Sequence, residues 1–358
     1  MPYTAPEPIH ANPAGEPIPM RIAVVGATGL VGRAMLDLLT DRPWADDTPH
    51  LLASARSAGA TLRFRGRELP VRDAAAFDPA QADLALFSAG GAASRALAPR
   101  FAAAGCWVVD NSSAWRMDLH TALVVPEINA HALPAAPAVV ANPNCSTIQI
   151  VLPLAPLHRA WGLRELHAST YQSVSGGGSA CRRALLDQLD ARRPAALDAE
   201  LGLADPGPFA RAVAFDVVPE IGAVGPDGWF EEEIKVRRES RKILELPDLA
   251  VTCIAVRVPS WNGHGAAVRA VFAEPVDRDE AVRLLRESPG LITAADPAAY
   301  ATPAEVTGAD EVAVGRLRLD PDEPRALTYW CAGDNLRKGA ALNAVQIAER
   351  ILRGNAAR

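Results

Sequence analysis

The chain has 358 residues, 49% of them hydrophobic and 22% charged, with a formal net charge of -6. That length accommodates two domains, and the composition is ordinary for a globular protein. The negative balance and the lack of a dense Lys/Arg block exclude a dedicated nucleic-acid surface, and no apolar stretch is long enough to imply a membrane span. The opening MPYTAPEPIHANPAGEPIP lacks the basic start and apolar run of a secretory signal, so a cytoplasmic setting is expected.

Residues 1–19 are rich in Pro, Ala and Glu without apolar periodicity, which predicts a disordered extension. Met20, directly before the first strand, offers a second start position. From Arg21 the order is strand, Gly-rich turn, helix. RIAVVG is a short β-branched run, and GRAMLDLLT repeats apolar residues at helical spacing through Ala34, Leu38 and Met35, Leu39. LLASAR, DLALFSAG and CWVVDNSS read as further strands. The helix SRALAPRFAAAG lies between the last two and ends at Gly105, as a helix C-terminus should. Strands alternating with helices predict an α/β fold, a Rossmann-type parallel sheet forming a cofactor domain over residues 20–145.

GATGLVG sets Gly26, Gly29 and Gly32 between the first strand and the first helix. Glycines there remove side chains that would block a pyrophosphate. The first helical residues, Leu30 and Val31, then offer free N–H groups at the positive end of the helix dipole, and Thr28 adds a hydroxyl. A turn that merely packs a helix on a sheet is the plain alternative. After the second strand an NAD site usually carries a carboxylate for the ribose hydroxyls. ASARSAG has none. Ser54, Arg56 and Ser57 suit a 2′-phosphate instead, which favours NADP, with a surface arginine in a loop as the alternative.

Five cysteines (Cys106, Cys145, Cys181, Cys253 and Cys331) are scattered without a C-x-x-C pair, and most should be small buried groups. Cys145 has a different context. ANPNCSTIQIVLPLAPL puts it before an apolar helical run of Ile148, Val151, Leu152 and Ala155. A thiol at a helix N-terminus feels a dipole that favours the thiolate, although placement alone leaves it as readily inert as nucleophilic. Pro153 lies inside the run and should bend or shorten the helix.

After about Pro143 the texture changes. ELHASTYQSVS, LAVTCIAVRVPS and AAVRAVFAEPV predict an α+β mixed-sheet domain over residues 146–333. TYQSVSGGGS places the Gln172 amide beside Gly176, Gly177 and Gly178, which let backbone approach a ligand or form a flexible hairpin tip. RVPSWNGHG sets Arg257 and His264 around a turn. A lone His is more often structural, but Cys and His together form the usual pair for thiol catalysis. In DNLRKGAALNAVQIAERIL, Ala341, Val345, Ala348 and Leu352 fall on one helical face, and residues 334–358 are expected to return to the cofactor domain.

GATGLVG, SARSAG, VVDNSSAWRMD, VVPEIN, NPNCSTIQ, TYQSVSG, FDVVPEIG, EEIK, RVPSWNGH and DNLRKGAALNAVQIAE together resemble the successive signatures of the aspartate-semialdehyde dehydrogenase family. They stand in the family's order and cover nearly everything from Met20 to the last helix. The resemblance implies Cys145 as nucleophile, Gln172 as the group positioning the acyl-enzyme and His264 as the acid/base group. It implies Arg257 for the substrate α-carboxylate, which a planar guanidinium suits. Glu232 matches the carboxylate facing the substrate amino group, with Glu231 and Glu233 as rivals and a solvated acidic face as the plain alternative. Lys235 and Arg116 resemble the phosphate binders, and Ser175, Gly176 and Asn335 the further cofactor contacts.

The implied reaction is the reversible, NADPH-dependent reductive dephosphorylation of L-4-aspartyl phosphate to L-aspartate 4-semialdehyde through a Cys145 thioester. It belongs to the aspartate-family route to lysine, diaminopimelate, threonine, methionine and isoleucine. Inorganic phosphate is the other small partner, no metal is needed, and a homodimer or homotetramer formed through the mixed sheet is implied. Gly265 stands where many relatives carry serine, Gly177 where alanine is common, and Gly333 where a serine often precedes DNL. N-acetyl-γ-glutamyl-phosphate reductase also combines this loop with a Cys and a His, but RVPSWNGH and DNLRKGAALN fit it poorly. A non-catalytic paralogue serving as a binding protein should have lost the nucleophile, and Cys145, Gln172, Arg257 and His264 all stand.

Overall fold

A computed structural model of the chain describes residues 19–191 and 205–356; apart from Pro19, the extension expected over residues 1–19 lies outside them. The chain divides into two units, one running to Pro143 and resuming at Ala340, the other from Asn144 to Gly339. The first boundary falls two residues before the 145/146 expected from sequence, and the second six residues after 333/334. Hydrogen bonds explain both shifts. The Asn144 N–H donates to Glu239 Oε2 at 2.6 Å, and the Gly263 N–H donates to Asn335 Oδ1 at 2.9 Å, which ties both segments into the second unit.

The first unit holds an eight-stranded sheet in the order β3 (Thr61–Phe64), β4 (Arg67–Asp73), β2 (His50–Ala53), β1 (Ile22–Val25), β5 (Leu84–Phe87), β6 (Trp107–Asp110), β8 (Val139–Ala141) and β7 (Ala122–Leu123). All neighbours are parallel except the β3–β4 hairpin. β1, β5 and β6 are buried along their whole length, as strands covered on both faces must be. On one face Met35 and Leu39 of α1 (Leu30–Thr40) and Val345 and Ile351 of α8 (Leu342–Ala356) cluster with Ile22 and Val24. On the other, Leu97 and Phe101 of α2 (Gly91–Ala103) meet Val25 and Phe87. This is a doubly wound sheet. Ala341, Val345, Ala348 and Leu352 are all buried, and Gly105 follows α2 with a left-handed φ of 84°. α3 (Pro126–Asn129) is a single turn.

The second unit is built on a mixed sheet in the order β10 (Ala250–Arg257), β9 (Leu163–Gln172), β11 (His264–Phe272), β14 (Ala326–Gly333), β13 (Val312–Leu319) and β12 (Leu291–Thr293). β10–β9 and β12–β13 are parallel, and the other pairs antiparallel. α4 (Cys145–Trp161) packs on β9, β11 and β14, α6 (Glu231–Ile243) on β10, and α7 (Arg278–Glu287) on β12 and β13. α5 (Ser179–Ala191) follows the turn after β9. Ala168, Thr170 and Gln172 are buried, whereas the alternate residues His167, Ser169 and Tyr171 are more open.

Pro153 does not shorten α4, contrary to expectation. The helix runs for 17 residues with Pro153 and Pro156 inside it. An interior proline costs roughly 3 kcal/mol, but every residue from Ser146 to Leu157 is buried, and that packing sustains the helix. Among the described residues no helix is long and apolar enough to cross a membrane.

Candidate active site

The glycine loop of the first unit is shaped by close backbone approach. Gly26 has φ 91°, and a β-carbon on it would lie 2.2 Å from the carbonyl oxygen of Ser88. A β-carbon on Gly32 would lie 2.2 Å from the carbonyl oxygen of Gly26. Gly29 caps α1 without a side-chain hydrogen bond, so the N–H groups of the first helical turn, including those of Leu30 and Val31, face outward from the helix end. Thr28 beside them is half-buried. The Gly26 N–H donates to Leu52 at the end of β2 at 2.8 Å, which draws the loop to the turn carrying Ser54, Arg56 and Ser57. Arg56 and Ser54 are exposed there. A helix start without a side-chain cap leaves N–H groups able to receive an anion.

In the second unit, strand register gathers side chains at one edge. Gln172, the last residue of β9, pairs with Arg257, the last of β10, and with His264, the first of β11. His264 in turn pairs with Gly333, the last of β14. All four strands therefore end in a row. Gln172 is held at both ends of its amide. Thr170 Oγ1 donates to its oxygen at 3.0 Å, and its nitrogen donates to Glu232 Oε1 at 3.1 Å.

Cys145 is the first residue of α4 and the one cysteine that is not fully buried. Asn144 caps the helix, its side-chain oxygen accepting from the N–H groups of Ser146 and Thr147. The Asn144 amide nitrogen donates to Glu232 Oε1 at 2.8 Å, which joins the start of α4 to the Gln172 cluster. Gly339 lies against Cys145, since a β-carbon there would come within 2.9 Å of Cys145 Cβ. The other thiols differ. Burial pushes Cys106, Cys253 and Cys331 up to about 12, and raises Cys181 as well.

His264 is completely buried, and burial followed by the Arg257 guanidinium pushes its imidazole down to about 3, with Glu232 pulling the other way. The ring is neutral at neutral pH. The Ser173 N–H donates to Nδ1 at 3.1 Å, so Nδ1 carries the lone pair and Nε2 the proton. Nε2 has no hydrogen-bond partner among the described residues. A β-carbon on Gly176 would lie 3.1 Å from His264 Nε2 and 3.2 Å from an Arg257 guanidinium nitrogen, so the missing side chain keeps the space beside both groups open. Burial lowers Arg257 from the usual arginine value, and Glu232, Cys145 and Cys181 oppose that shift.

The three glutamates of α6 have separate fates. Glu232 is buried and accepts from Gln172 and Asn144, with Lys235 Nζ 3.4 Å from its other oxygen. Glu233 is taken up by the backbone N–H groups of Phe230 and Ala255. The Glu231 side chain is 53% exposed and pairs with Lys235 at 3.3 Å. Arg116, in the first unit, is buried and donates to the carbonyls of Asn142 at 3.0 Å and Asn111 at 2.7 Å. Asn335 Oδ1 receives Gly263 N–H, Ser175 Oγ at 3.0 Å and Ser173 Oγ at 3.3 Å.

Two of the three unusual glycines are filled by a neighbour. A β-carbon on Gly265 would lie 2.3 Å from the Trp330 ring, and one on Gly177 would lie 2.3 Å from Cys181 Sγ. At Gly333 the nearest atoms, on Val312 and Gln149, stand 3.3 and 3.4 Å away. Sequence reading missed Asn144, Ser173, Glu239 and Gly339. The first had a signal, since Asn directly before a helical run is a preferred cap. Ser173 lies in a stretch noticed for its glycines, and nothing in the sequence marks Glu239.

The family model for the semialdehyde dehydrogenase NAD binding domain matches residues 21–136, and that for the dimerisation domain matches residues 154–338. The chain is 42% identical over 344 residues to the aspartate-semialdehyde dehydrogenase of Bacillus subtilis, covering 94% of this chain and 98% of the relative. It is 45% identical to that of Corynebacterium glutamicum, covering 93% of this chain and 99% of the relative. The crystal structure of Vibrio cholerae aspartate semialdehyde dehydrogenase II complexed with ASA has a TM-score of 0.87 at 38% identity, covering 94% of this chain and 99% of that one. The chain belongs to the semialdehyde dehydrogenase family, and within it to the aspartate-semialdehyde dehydrogenases.

Proposed function

We propose that this dehydrogenase converts L-4-aspartyl phosphate to L-aspartate 4-semialdehyde, reversibly, through a thioester on Cys145, with NADPH as reductant. The observation that carries the reading is the open space beside Gly176, onto which His264 Nε2 and Arg257 both face. The Cys145 thiolate attacks the acyl carbon, the bond from carbon to the phosphate oxygen breaks, and phosphate leaves. Arg257 takes the substrate α-carboxylate through its planar donors, and Glu232 takes the ammonium group. Gln172, held at both ends of its amide, orients the acyl group. When bound, the nicotinamide supplies the hydride that brings the thioester to the aldehyde level. His264 Nε2–H steadies the oxyanion, after which the carbon–sulfur bond breaks and the thiolate re-forms. Lys235 and Arg116 are the cations assigned to the phosphate.

Gly26, Thr28, Gly29, Leu30 and Val31 would hold the cofactor's pyrophosphate and Ser54, Arg56 and Ser57 its 2′-phosphate, and Ser175, Gly176 and Asn335 are assigned as further cofactor residues. The exposed, carboxylate-free turn at Arg56 supports NADP over NAD. The partly exposed Tyr171 and Ile254 on the second sheet support a second copy seated there, giving a homodimer or a pair of dimers. The test is enzymatic. Purified protein should sustain turnover of NADP with aspartate semialdehyde only when phosphate is present. Equal turnover without phosphate contradicts the thioester route, because nothing else would release the acyl group at that rate.

A further inference from the structure

We propose that Ser173 is a positioning residue for the reaction, fixing the tautomer of His264 and the guanidinium of Arg257 from one point in the chain. This rests on the role given above to His264 Nε2–H, which steadies the oxyanion. Ser173 follows directly on β9, is completely buried, and has extended backbone angles (φ -65°, ψ 158°) at the start of a short turn, Val174–Gly177. Three of its polar groups reach the site. Its N–H donates to His264 Nδ1 at 3.1 Å, and its Oγ lies 3.1 Å from the same nitrogen. Its carbonyl oxygen accepts from Arg257 at 2.6 Å. The turn itself is pinned, since the Val174 N–H donates to the Ser260 carbonyl at 3.0 Å and Val174 packs with Cys181 and Leu185.

The backbone N–H can only donate, so it favours a bare Nδ1 whatever the hydroxyl does. The hydroxyl can play either part. Asn335 Oδ1 has two lone pairs, and Gly263 N–H at 2.9 Å and Ser175 Oγ at 3.0 Å lie closer to it than Ser173 Oγ at 3.3 Å. The Ser173 proton is therefore free to turn to Nδ1 or to Ser175 Oγ, 2.9 Å away. When it turns to Nδ1 it reinforces the tautomer with its proton on Nε2. When it turns to Ser175 it presents a lone pair to Nδ1, the one arrangement that accepts a proton from that side of the ring. Ser173 thus keeps Nε2–H aimed at the open space, and its hydroxyl alone can accommodate a change of state in the ring.

The test compares Ser173→Ala, Ser173→Thr and His264→Asn in the full-length protein. Ser173→Ala keeps the backbone bonds to both partners and removes only the hydroxyl. Its kcat should fall about 5- to 10-fold, the loss of one buried hydrogen bond, with KM for aspartate semialdehyde within about twofold because the carbonyl still holds Arg257. Ser173→Thr should recover most of the loss. Nitrogen-15 spectra of the wild-type His264 ring should show a protonated Nε2 and a bare Nδ1, and Ser173→Ala, which keeps the backbone N–H, should show the same tautomer, so that its loss of kcat reads the hydroxyl alone. If Ser173→Ala turns over like wild type while His264→Asn is inactive, the Ser173 role fails and the dehydrogenase mechanism stands. A wild-type ring protonated on Nδ1 also overturns the Ser173 role. If His264→Asn itself keeps full activity, the assignment of His264 fails and the role of Ser173 with it.

Discussion

Gln172 and His264 are direct register partners, the last residue of β9 facing the first residue of β11. Both side chains are set by a strand ladder, with Arg257 paired on the far side of Gln172. Groups fixed in this way hold their geometry better than groups on free loops. One consequence concerns protonation. The His264 imidazole has an ordinary value of 6.5 and is pushed down to about 3, first by burial and then by Arg257. Between those values the unfolded chain binds a proton that the folded chain refuses. The stability associated with the neutral ring is thus fully present above pH 6.5 and is lost as pH falls towards 3. Urea denaturation should show a shallower acid loss for His264→Gln than for wild type. Equal slopes would mean that the ring charges freely in the folded protein.

The thiols give a second expectation. Cys145 is the partly exposed one of five, and the other four are buried with their thiols raised. A small alkylating reagent at neutral pH should modify Cys145 first, and loss of activity should follow the first label. Peptide mapping checks this. Early labelling at Cys181 would show that the turn over it opens readily.

The acidic run of α6 offers a third. Glu232→Gln should lower kcat/KM by about 100-fold or more, as expected when a buried charged hydrogen-bond acceptor is neutralised. Glu231→Gln, at a half-exposed ion pair, should change it little. Glu233→Gln should act mainly on stability, through the Phe230 and Ala255 N–H groups it receives. Steady-state kinetics with melting curves separate the three, and an inactive but stable Glu231→Gln would reverse the assignment.

A fourth expectation concerns Gly265 and Trp330. The indole is held by a hydrogen bond from its nitrogen to the Ala301 carbonyl at 2.8 Å, and its ring fills the space a β-carbon at Gly265 would need. Gly265→Ala should cost about 1–3 kcal/mol by overpacking. The same change in a Trp330→Leu background should cost less, and urea denaturation of the two singles and the double measures that coupling. Additive losses would mean the ring moves aside at no cost.

Much of this was legible in the residues. The first strand, the glycine turn and α1 announce themselves because their periods differ sharply, and the ends of β9, β10 and β11 are marked by Gln172, Arg257 and His264. The β3–β4 hairpin was not read, since strands such as TLRF and RELPVRD are half-exposed and carry many charges. The persistence of α4 through two prolines depends on burial from other elements, which no local pattern shows. Nor could sequence choose Glu232 among three adjacent glutamates, because the choice depends on which side of α6 meets Gln172. The role of Ser173 depends on strand pairing across more than ninety residues of chain.

The most direct measurement is intact-protein mass spectrometry of the enzyme mixed with aspartate semialdehyde and NADP while phosphate is withheld. Oxidation should then stop at the thioester, leaving one aspartyl adduct per chain, mapped to Cys145 and discharged when phosphate is added. Cys145→Ala should form no adduct and reduce no NADP. An adduct-free wild type that turns over under these conditions, or a Cys145→Ala variant that keeps its activity, would contradict covalent catalysis by this thiol.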